Sequence, residues 1–252
     1  MAATGPIVLT YHSISASPGP TSIPVETFGM QMATLAAEGY GSMSLQDFID
    51  WRGGVAVERA ALITFDDAFL DFAEAAQPIL RSHGFTSVVF APTRRLGGAE
   101  SWDGANEPAR PLMSWDHVEA LAGDAVEFGS HSLHHADLTA VAADTRRREI
   151  EESGAELAVR LGRPTRSFAA PYGRVNAAVL ADLRGRYDVA FGTRFDRPRR
   201  SDDPVDVPRI EMHYFRDAAR WRDFLRGRDG YFQARRVLRA ARETAARLGF
   251  NA

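Results

Sequence analysis

Residues 60–67 read Ala-Ala-Leu-Ile-Thr-Phe-Asp-Asp, an apolar run that ends in two carboxylates. The apolar part, Ala60 to Phe65, has the length and composition of a strand buried on both faces, which is typical of parallel sheets. Asp66 and Asp67 follow at its carboxyl end, where α/β barrels place their active sites. We therefore predict a buried strand that delivers two acidic side chains to a functional edge.

Short apolar runs alternate with helical patterns on both sides of this strand. The predicted strands cover residues 7–11, 60–65, 87–91, 125–128, 167–169, 188–191 and 207–212, and the predicted helices cover residues 25–38, 69–83, 114–121, 143–161, 175–183 and 231–248. This alternation is typical of a parallel sheet covered by helices, and about seven units favour a closed or nearly closed barrel. No Gly-x-Gly-x-x-Gly follows the first strand, so a dinucleotide-binding fold has no support.

The composition excludes several chemistries. The chain has 252 residues with no cysteine and no lysine, which excludes disulfides, thiolate nucleophiles, Cys-ligated zinc and Schiff-base catalysis. Its net charge of -3 and sequence pI of about 6.2 give no electrostatic footprint for nucleic acid. Hydrophobic residues make up 45% and charged residues 25%, which suffices for a sizeable core.

The two ends of the chain lead to expectations about location and domains. No signal-peptide pattern is visible, and no apolar run approaches the roughly 18 residues of a membrane span, so we expect a cytoplasmic protein, or an extracytoplasmic one if a leader has been removed. We expect a barrel over residues 1–225 and, over residues 226–252, an Arg-rich amphipathic helix packed on it. Docking of that helix on anionic lipid is the alternative. The sequence does not indicate an oligomeric state.

The two adjacent carboxylates need an explanation, because buried unpaired charge is costly. Neighbouring residues in extended backbone point to opposite sides. One of Asp66 and Asp67 can therefore bind a metal while the other faces a reacting water. The alternative is structural, with Asp67 capping a helix that starts near Phe69 and Asp66 solvated in the loop.

A histidine cluster follows another predicted strand, in the stretch Gly-Ser-His-Ser-Leu-His-His over residues 129–135. His131 and His135 are four positions apart, so one helical turn would bring both imidazoles to one side. Imidazole suits borderline metals such as zinc. His134 cannot share that side and is the poorer candidate. A chance cluster on a solvated loop is the alternative, and it is less attractive because three of only seven histidines lie here.

Two further segments also follow predicted strands. In Pro-Tyr-Gly at 171–173, Pro171 fixes the backbone direction and could aim the Tyr172 amide at a developing oxyanion, although alone the segment is an ordinary turn. In residues 208–213, Arg209 and His213 could act as a charge clamp and a general acid, or alternate as polar residues of a surface strand.

In this order and at these spacings, the segments resemble the polysaccharide deacetylases of carbohydrate esterase family 4, the NodB homology domain. The resemblance covers roughly residues 5–215 and rests on Thr-Phe-Asp-Asp at 64–67, His-Ser-x-x-His at 131–135 and Pro-Tyr-Gly at 171–173. The opening Thr-Tyr-His-Ser at 10–13 is similar to the branch that includes poly-N-acetylglucosamine deacetylases.

The resemblance implies a fold and a set of roles. The fold would be an α/β deformed (β/α)7 barrel with mostly parallel strands. Asp66 would be the catalytic base, and Asp67, His131 and His135 would bind a divalent metal: zinc first, with cobalt, nickel or manganese also suited. The metal would polarise the amide carbonyl and lower the pKa of its bound water towards about 7, from about 15.7 in bulk. The oxyanion would lie against the metal and the Tyr172 amide.

Two departures from the family pattern bear on proton transfer. Many members carry Arg two residues before the Pro of the third motif, where this chain has Ala169, so the tether that orients Asp66 must be absent or come from elsewhere. The general-acid motif, usually Leu-x-His, is best matched by residues 211–213, with Glu in place of Leu. His213 is therefore the candidate acid, and His12, after the first strand, is the second candidate for a site role.

The expected substrate is a carbohydrate. The candidate substrate contacts are His12, Pro171, Arg209 and Trp102, the last in a long loop over residues 93–111. The leading hypothesis is a metal-dependent N-deacetylase of N-acetylated sugars in a polysaccharide or oligosaccharide. The alternatives are a deacetylase or deformylase of a lipid-linked or nucleotide-linked sugar, and an inactive glycan-binding barrel. The presence of the base and all three ligands speaks against the last.

Overall fold

Strands and helices alternate along the chain. The computed structural model describes residues 5–102 and 104–247, with side chains as far as residue 241. The strands are β1 (Ile7–Tyr11), β2 (Gly41–Ser42), β3 (Ala60–Phe65), β4 (Ser87–Ala91), β5 (Val126–Ser130), β6 (Ser167–Ala169), β7 (Val189–Phe195) and β8 (Val207–Glu211). The helices are α1 (Val25–Ala37), α2 (Leu45–Arg52), α3 (Gln77–Ser82), α4 (Trp115–Leu121), α5 (Ala143–Leu161), α6 (Ala177–Leu183), α7 (Ala218–Leu225) and α8 (Gly230–Arg247).

Seven of these strands close into a parallel barrel. They follow one another in the order β1, β8, β7, β6, β5, β4 and β3, and β1 pairs with β3 to complete the ring. Leu9 of β1 is opposite Ile63 of β3 on one side and Ile210 of β8 on the other. The short β2 pairs with the outer edge of β3 at the amino-terminal end. The predicted (β/α)7 barrel is confirmed.

The barrel interior changes from apolar to polar along its axis. Side chains alternate along each strand, and the cluster that fills the barrel takes Val8 of β1 and Leu62 of β3. The next inward positions are Thr10 and Thr64, which are buried. The same alternation continues to Asp66, just past β3. The strand register therefore carries a carboxylate to the carboxyl mouth of the barrel.

Two helices are absent from the sequence prediction. α2 begins at a capping box in which Ser44 Oγ accepts from the Asp47 amide and Asp47 accepts from the Ser44 amide, and its Phe48 and Trp51 pack against the interior cluster. α7 packs its buried aromatic face on α1 and is capped by Asp217. Both are eight residues long, so their apolar periodicity is short.

Other predicted boundaries shift for local reasons. The helix predicted over 69–83 contains a π-helical turn, Phe72–Ala76, before α3. α6 starts at Ala177 because Asn176 Oδ1 accepts from the amides of residues 178 and 179. β7 continues to Phe195 rather than ending at 191.

The first part of α8 lies against the barrel. Phe232 is 1% exposed, and its ring packs on Phe195 of β7 and Phe224 of α7, with centroids 5.1 and 5.0 Å apart. The domain boundary predicted at residue 225 stays a prediction, and residues 248–252 lie outside the described part. No described helix is both long enough and apolar enough to cross a bilayer.

Candidate active site

Three side chains meet at the carboxyl mouth of the barrel. Asp67 follows β3, and His131 and His135 follow β5. The Nε2 atoms of His131 and His135 lie 3.3 and 3.2 Å from Oδ1 of Asp67. One potential ligand atom from each residue lies within 4.8 Å of the other two, and all three residues are buried. The structure thus brings together the residues that the sequence predicts as metal ligands.

Left-handed backbone at non-glycine residues aims these side chains. Asp67 and Ala68 have φ of 72° and 54°, and Ser132 and His135 have φ of 67° and 59°. Such conformations cost about 1–3 kcal/mol each and cluster at functional sites. The helical turn predicted between His131 and His135 is wrong, because this segment is an irregular loop. The loop, not a helix, places the two imidazoles side by side.

The donor set fits a divalent cation. His131 Nδ1 donates to the Ala169 carbonyl oxygen at 2.8 Å, which leaves its Nε2 lone pair on the side of Asp67. Oδ1 of Asp67 is buried, and no described group meets it in hydrogen-bond geometry. Burial acts to raise the pKa of Asp67, but the imidazoles of His131 and His135 bring it well below its ordinary value. Two imidazoles and an ionised carboxylate are a ligand set that suits zinc.

A buried arginine holds Asp66. Nη1 and Nη2 of Arg209 donate to the two carboxylate oxygens of Asp66, each at 2.7 Å. Arg209 also donates to the Gly192 carbonyl at 3.0 Å and to Thr64 Oγ1 at 3.1 Å. Burial acts to raise the pKa of Asp66, but Arg209 outweighs this and the pKa is lowered. Asp66 is thus an ionised carboxylate in a fixed orientation, as a general base requires.

This contact corrects the role that the sequence predicts for Arg209. We expected a substrate contact, but the side chain of Arg209 is only 1% exposed. Both terminal nitrogens of its guanidinium group donate to the Asp66 carboxylate. Arg209 lies inside the barrel because alternation along β8 points it inward. It supplies the tether that the family pattern places two residues before Pro171, where this chain has Ala169.

A groove of about 530 Å³ opens over these residues. Four of the predicted site residues line it besides the metal ligands and Asp66: His12, Trp102, Tyr172 and His213. Nε2 of His12 lies 3.9 Å from Oδ2 of Asp66, so His12 borders that carboxylate directly. Pro171 is buried and does not line the groove, which corrects its prediction as a substrate contact.

Two aromatic rings enclose His135, one of the three candidate ligands. Trp102 stacks on it with centroids 4.2 Å apart, and Tyr172 meets it edge-on at 4.6 Å. Tyr172 has φ of 59°, so its ring and its backbone amide are both set by a tight turn after β6. The two rings limit the motion of the imidazole and form an aromatic wall of the groove.

Comparison with known proteins gives the family. The profile of the family described as polysaccharide deacetylase matches residues 54–185, just over half of the chain. The chain belongs to the polysaccharide deacetylase family. The resemblance drawn from the Asp, His and Pro-Tyr-Gly motifs is therefore confirmed.

Proteins similar to this chain are related to it at low sequence identity. YxkH of Bacillus subtilis (strain 168) is 23% identical over 175 residues, which are 69% of this chain but only 58% of YxkH. The deacetylase PplD of Streptococcus pyogenes, solved with acetate, has a TM-score of 0.71 at 21% identity and covers 83% of this chain and 92% of its own. IcaB from Ammonifex degensii has a TM-score of 0.69 at 24% identity and covers 86% and 97%. The two structures show a common fold.

His213 also lines the groove and lies in the turn after β8. Its amide donates to Glu211 Oε1 at 3.4 Å. Burial lowers the pKa of His213, and the positive charges of Arg216 and Arg235 lower it further, while Glu211 opposes them. The imidazole is therefore mainly neutral near neutral pH, and it can serve as an acid only after taking up a proton.

A larger depression, of about 710 Å³, lies over α5 and away from the carboxylates. Its charged groups pair with one another, since Arg94 contacts both Glu152 and Glu156. It holds none of the predicted metal ligands or Asp66, and Arg160, which also lines it, pairs with Glu119 at 3.2 Å. The smaller groove, which holds Asp66 and the Asp67, His131 and His135 cluster, is therefore the candidate site.

Glu149 of α5 is a site residue that the sequence analysis missed. Its buried Oε2 accepts from the amides of Leu133 and His134, each at 2.9 Å, and its Oε1 lies 2.6 Å from His134 Nδ1. These contacts fix the loop that carries the two ligand histidines. They also hold the His134 imidazole at Glu149, whereas the ligand atoms of Asp67, His131 and His135 lie together. Nothing in the sequence near Glu149 marks this contact, because it depends on how α5 packs on β5.

Replacing Glu149 by Ala should loosen the ligand loop. Two buried amides would lose their acceptor, at about 1–3 kcal/mol each in free energy of unfolding. Affinity for the metal should fall about 10–100-fold, as for other residues that orient ligands. Competition with a chelator measures this. Glu152→Ala removes a partly exposed carboxylate of the same helix that pairs with Arg94 and not with the loop. It is the matched control, and equal affinities of the two variants would contradict the role of Glu149.

Proposed function

We propose that this protein is a metal-dependent hydrolase that removes N-acetyl groups from N-acetylated sugars of a polysaccharide or oligosaccharide. The observation that carries the proposal is the pairing of two neighbouring centres in one groove. One is the buried Asp67, His131 and His135 ligand set. The other is Asp66, kept ionised by Arg209.

A divalent metal, with zinc as the first candidate, would be held by Asp67, His131 and His135. When bound, it supplies a Lewis acid for the amide carbonyl and lowers the pKa of a coordinated water towards about 7. Three protein ligands leave coordination positions for water and substrate, as in catalytic sites. Cobalt, nickel and manganese suit the same ligands.

Side chains of the protein itself carry out the proton transfers. Asp66 takes a proton from the attacking water, while Arg209 fixes the direction of the carboxylate. The water oxygen bonds to the acetyl carbon, and the Tyr172 amide donates to the resulting oxyanion. The carbon–nitrogen bond then breaks as a proton reaches the sugar nitrogen, which gives acetate and a free amine. His213 and His12 both line the groove and are the two candidates to deliver that proton.

The aromatic wall suits a sugar ring. Trp102 and Tyr172 present ring surface beside the ligand His135. Sugar rings present apolar faces that pack on aromatic side chains, while their hydroxyl groups find polar partners in the same groove. This favours a glycan over a peptide or a lipid chain as the acylated substrate.

Acetate release tests the proposal. Protein loaded with zinc should release acetate from an N-acetylglucosamine oligomer. Acetylated model esters serve as a second substrate class, and formylated sugars test the alternative acyl group. Protein that binds no metal and releases acetate from none of these would instead support the alternative of an inactive glycan-binding barrel.

The general acid is tested by histidine replacement. His213→Ala should lower kcat about 10²–10⁴-fold, as expected for loss of a general acid or base. The same change at His12 should have a smaller effect, because the imidazole of His12 lies against the Asp66 carboxylate, with Nε2 3.9 Å from Oδ2. His83→Ala, which changes a histidine outside the groove, is the control. Unchanged turnover of His213→Ala removes His213 from the mechanism.

A further inference from the structure

The groove continues past His213 into a second cavity. This cavity, of about 460 Å³, shares His213 and Tyr214 with the groove and is lined by Arg216, Arg220 and Arg235. Both volumes fall in the range of about 300–1,000 Å³ that is usual for ligand sites. The three arginines come from the turn that follows β8, from α7 and from α8. We call this second cavity the arginine pocket.

The positive charge of the arginine pocket is not neutralised within the described part of the chain. None of its three guanidinium groups has a carboxylate oxygen within 4.0 Å among those residues. Asp217 also lines the pocket, but its Oδ1 accepts from the Arg220 amide as a helix cap. A neighbouring arginine outside the pocket does have an acidic partner, since Arg222 contacts Glu38 at 3.6 Å.

Aromatic rings hold two of these guanidinium groups in place. Arg220 lies over the Tyr231 ring at 4.8 Å. Arg235 lies over the Tyr214 ring at 5.2 Å and donates from Nε to Tyr231 Oη at 3.2 Å. Tyr231 in turn donates to the Tyr214 carbonyl at 3.0 Å. Stacking occupies the faces of a guanidinium but leaves donors at its edge, which is the geometry that recognises phosphate and carboxylate.

The positive field extends into the groove itself. Arg216 and Arg235 act on His213 strongly enough to contribute to its lowered pKa, after burial as the main cause. Arg239, one helical turn beyond Arg235 on α8, lines the groove. An anionic group seated in the arginine pocket would therefore lie on the same face as the reacting centre and beside the proposed general acid.

We infer that the arginine pocket binds an anionic group of the substrate, a phosphate or carboxylate carried by the glycan close to the N-acetylated sugar. The inference rests on the proposed deacetylase function and narrows its substrate to an acidic glycan or a sugar phosphate. An arginine guanidinium binds phosphate and carboxylate in the same way, through two parallel hydrogen bonds. The experiment therefore distinguishes a phosphate linkage from a sugar acid.

The kinetic test compares matched substrates. kcat/KM for acetate release is measured on a neutral N-acetylglucosamine oligomer, on one that alternates with glucuronate, and on one with a terminal phosphate. The wild type should prefer one anionic substrate by about tenfold, the low end for hydrogen bonds to charged groups at an exposed site. The double variant Arg220→Gln/Arg235→Gln should lose that preference, which is a ratio of two rates of the same variant and therefore does not depend on any change in its basal rate at His213.

A matched double variant controls for net charge. Arg222→Gln/Arg228→Gln removes two positive charges from arginines that pair with Glu38 and Asp223 outside both cavities. It should keep the wild-type preference. A wild type with no preference, or a preference that survives Arg220→Gln/Arg235→Gln, overturns the inference.

A binding measurement separates failure of the inference from failure of the proposed function. Inorganic phosphate is added to the protein against sodium chloride at equal ionic strength, and the Arg Nε–H signals are followed by NMR. Saturable shifts in the wild type that are lost in Arg220→Gln/Arg235→Gln support the pocket even if no substrate releases acetate. Absence of shifts, together with acetate release that is equal on neutral and anionic oligomers, overturns the pocket and leaves the deacetylase standing.

Discussion

Arg209→Met should destabilise the fold by about 3–5 kcal/mol, because it leaves the buried carboxylate of Asp66 without its partner. Asp66 is 4% exposed. After the change, the nearest cation in the described chain would be His12, at 3.9 Å and charged only when protonated. The free energy of unfolding from urea titration measures the effect. kcat should fall about 10²-fold as well, since the base would lose its fixed direction.

A double variant separates the charge from the tether. Asp66→Asn/Arg209→Met removes both charges and should be more stable than Arg209→Met, yet inactive, because Asn cannot accept the proton. Arg209→Lys keeps one charge without the two-point contact, so its stability should be intermediate and its kcat still low. An Arg209→Met protein as stable as the wild type would show that the pair does not hold Asp66.

The strands were predictable because their apolar composition indicates burial. Ala60 to Phe65 and Ser87 to Ala91 are short apolar runs, and the structure has strands at those bounds. The carboxyl ends of parallel strands meet at one mouth, so polar residues after β3 and β5 had to converge. That is why the carboxylate pair and the histidines could be grouped without coordinates, whereas the choice of Asp67 over Asp66 as the ligand came from the family resemblance.

The partner of Asp66 was not predictable in the same way. Arg209 is 143 residues away from it, and the residues around it read equally well as a surface strand. Arg209 lies inside only because β8 pairs with β1 in the closed barrel. There its side chain reaches Thr64 of β3. Pairing across a closed sheet depends on register, which local sequence does not carry.

The conformation of the loop over residues 131–135 was also not predictable from the sequence. Positive φ is unusual for Ser132 and His135, and neither residue type marks it as glycine would. Four-residue spacing therefore suggested a helical turn, whereas Glu149 from α5 fixes an irregular loop instead. Tertiary contacts decided the conformation, although the grouping of His131 with His135 came out the same.

His135→Ala should abolish stoichiometric metal binding and lower kcat about a thousandfold or more. The reason is that a metal contributes several kcal/mol of charge stabilisation, and each 1.36 kcal/mol is about tenfold in rate. Metal content after dialysis and acetate release are the two measurements. Treatment of the wild type with a chelator should give the same loss, and added zinc should restore it in the wild type but not in the variant.

The matched control for this change is His134→Gln, one residue earlier in the same loop. His134 is half-exposed and bound to Glu149, so it should keep both metal and activity, because glutamine can still donate to that carboxylate. Loss of metal in both variants would mean that the loop, not the His135 ligand, was destroyed. Full activity of chelator-treated wild type would overturn the metal centre itself, and the ionised Asp66 would then have to act on water without it.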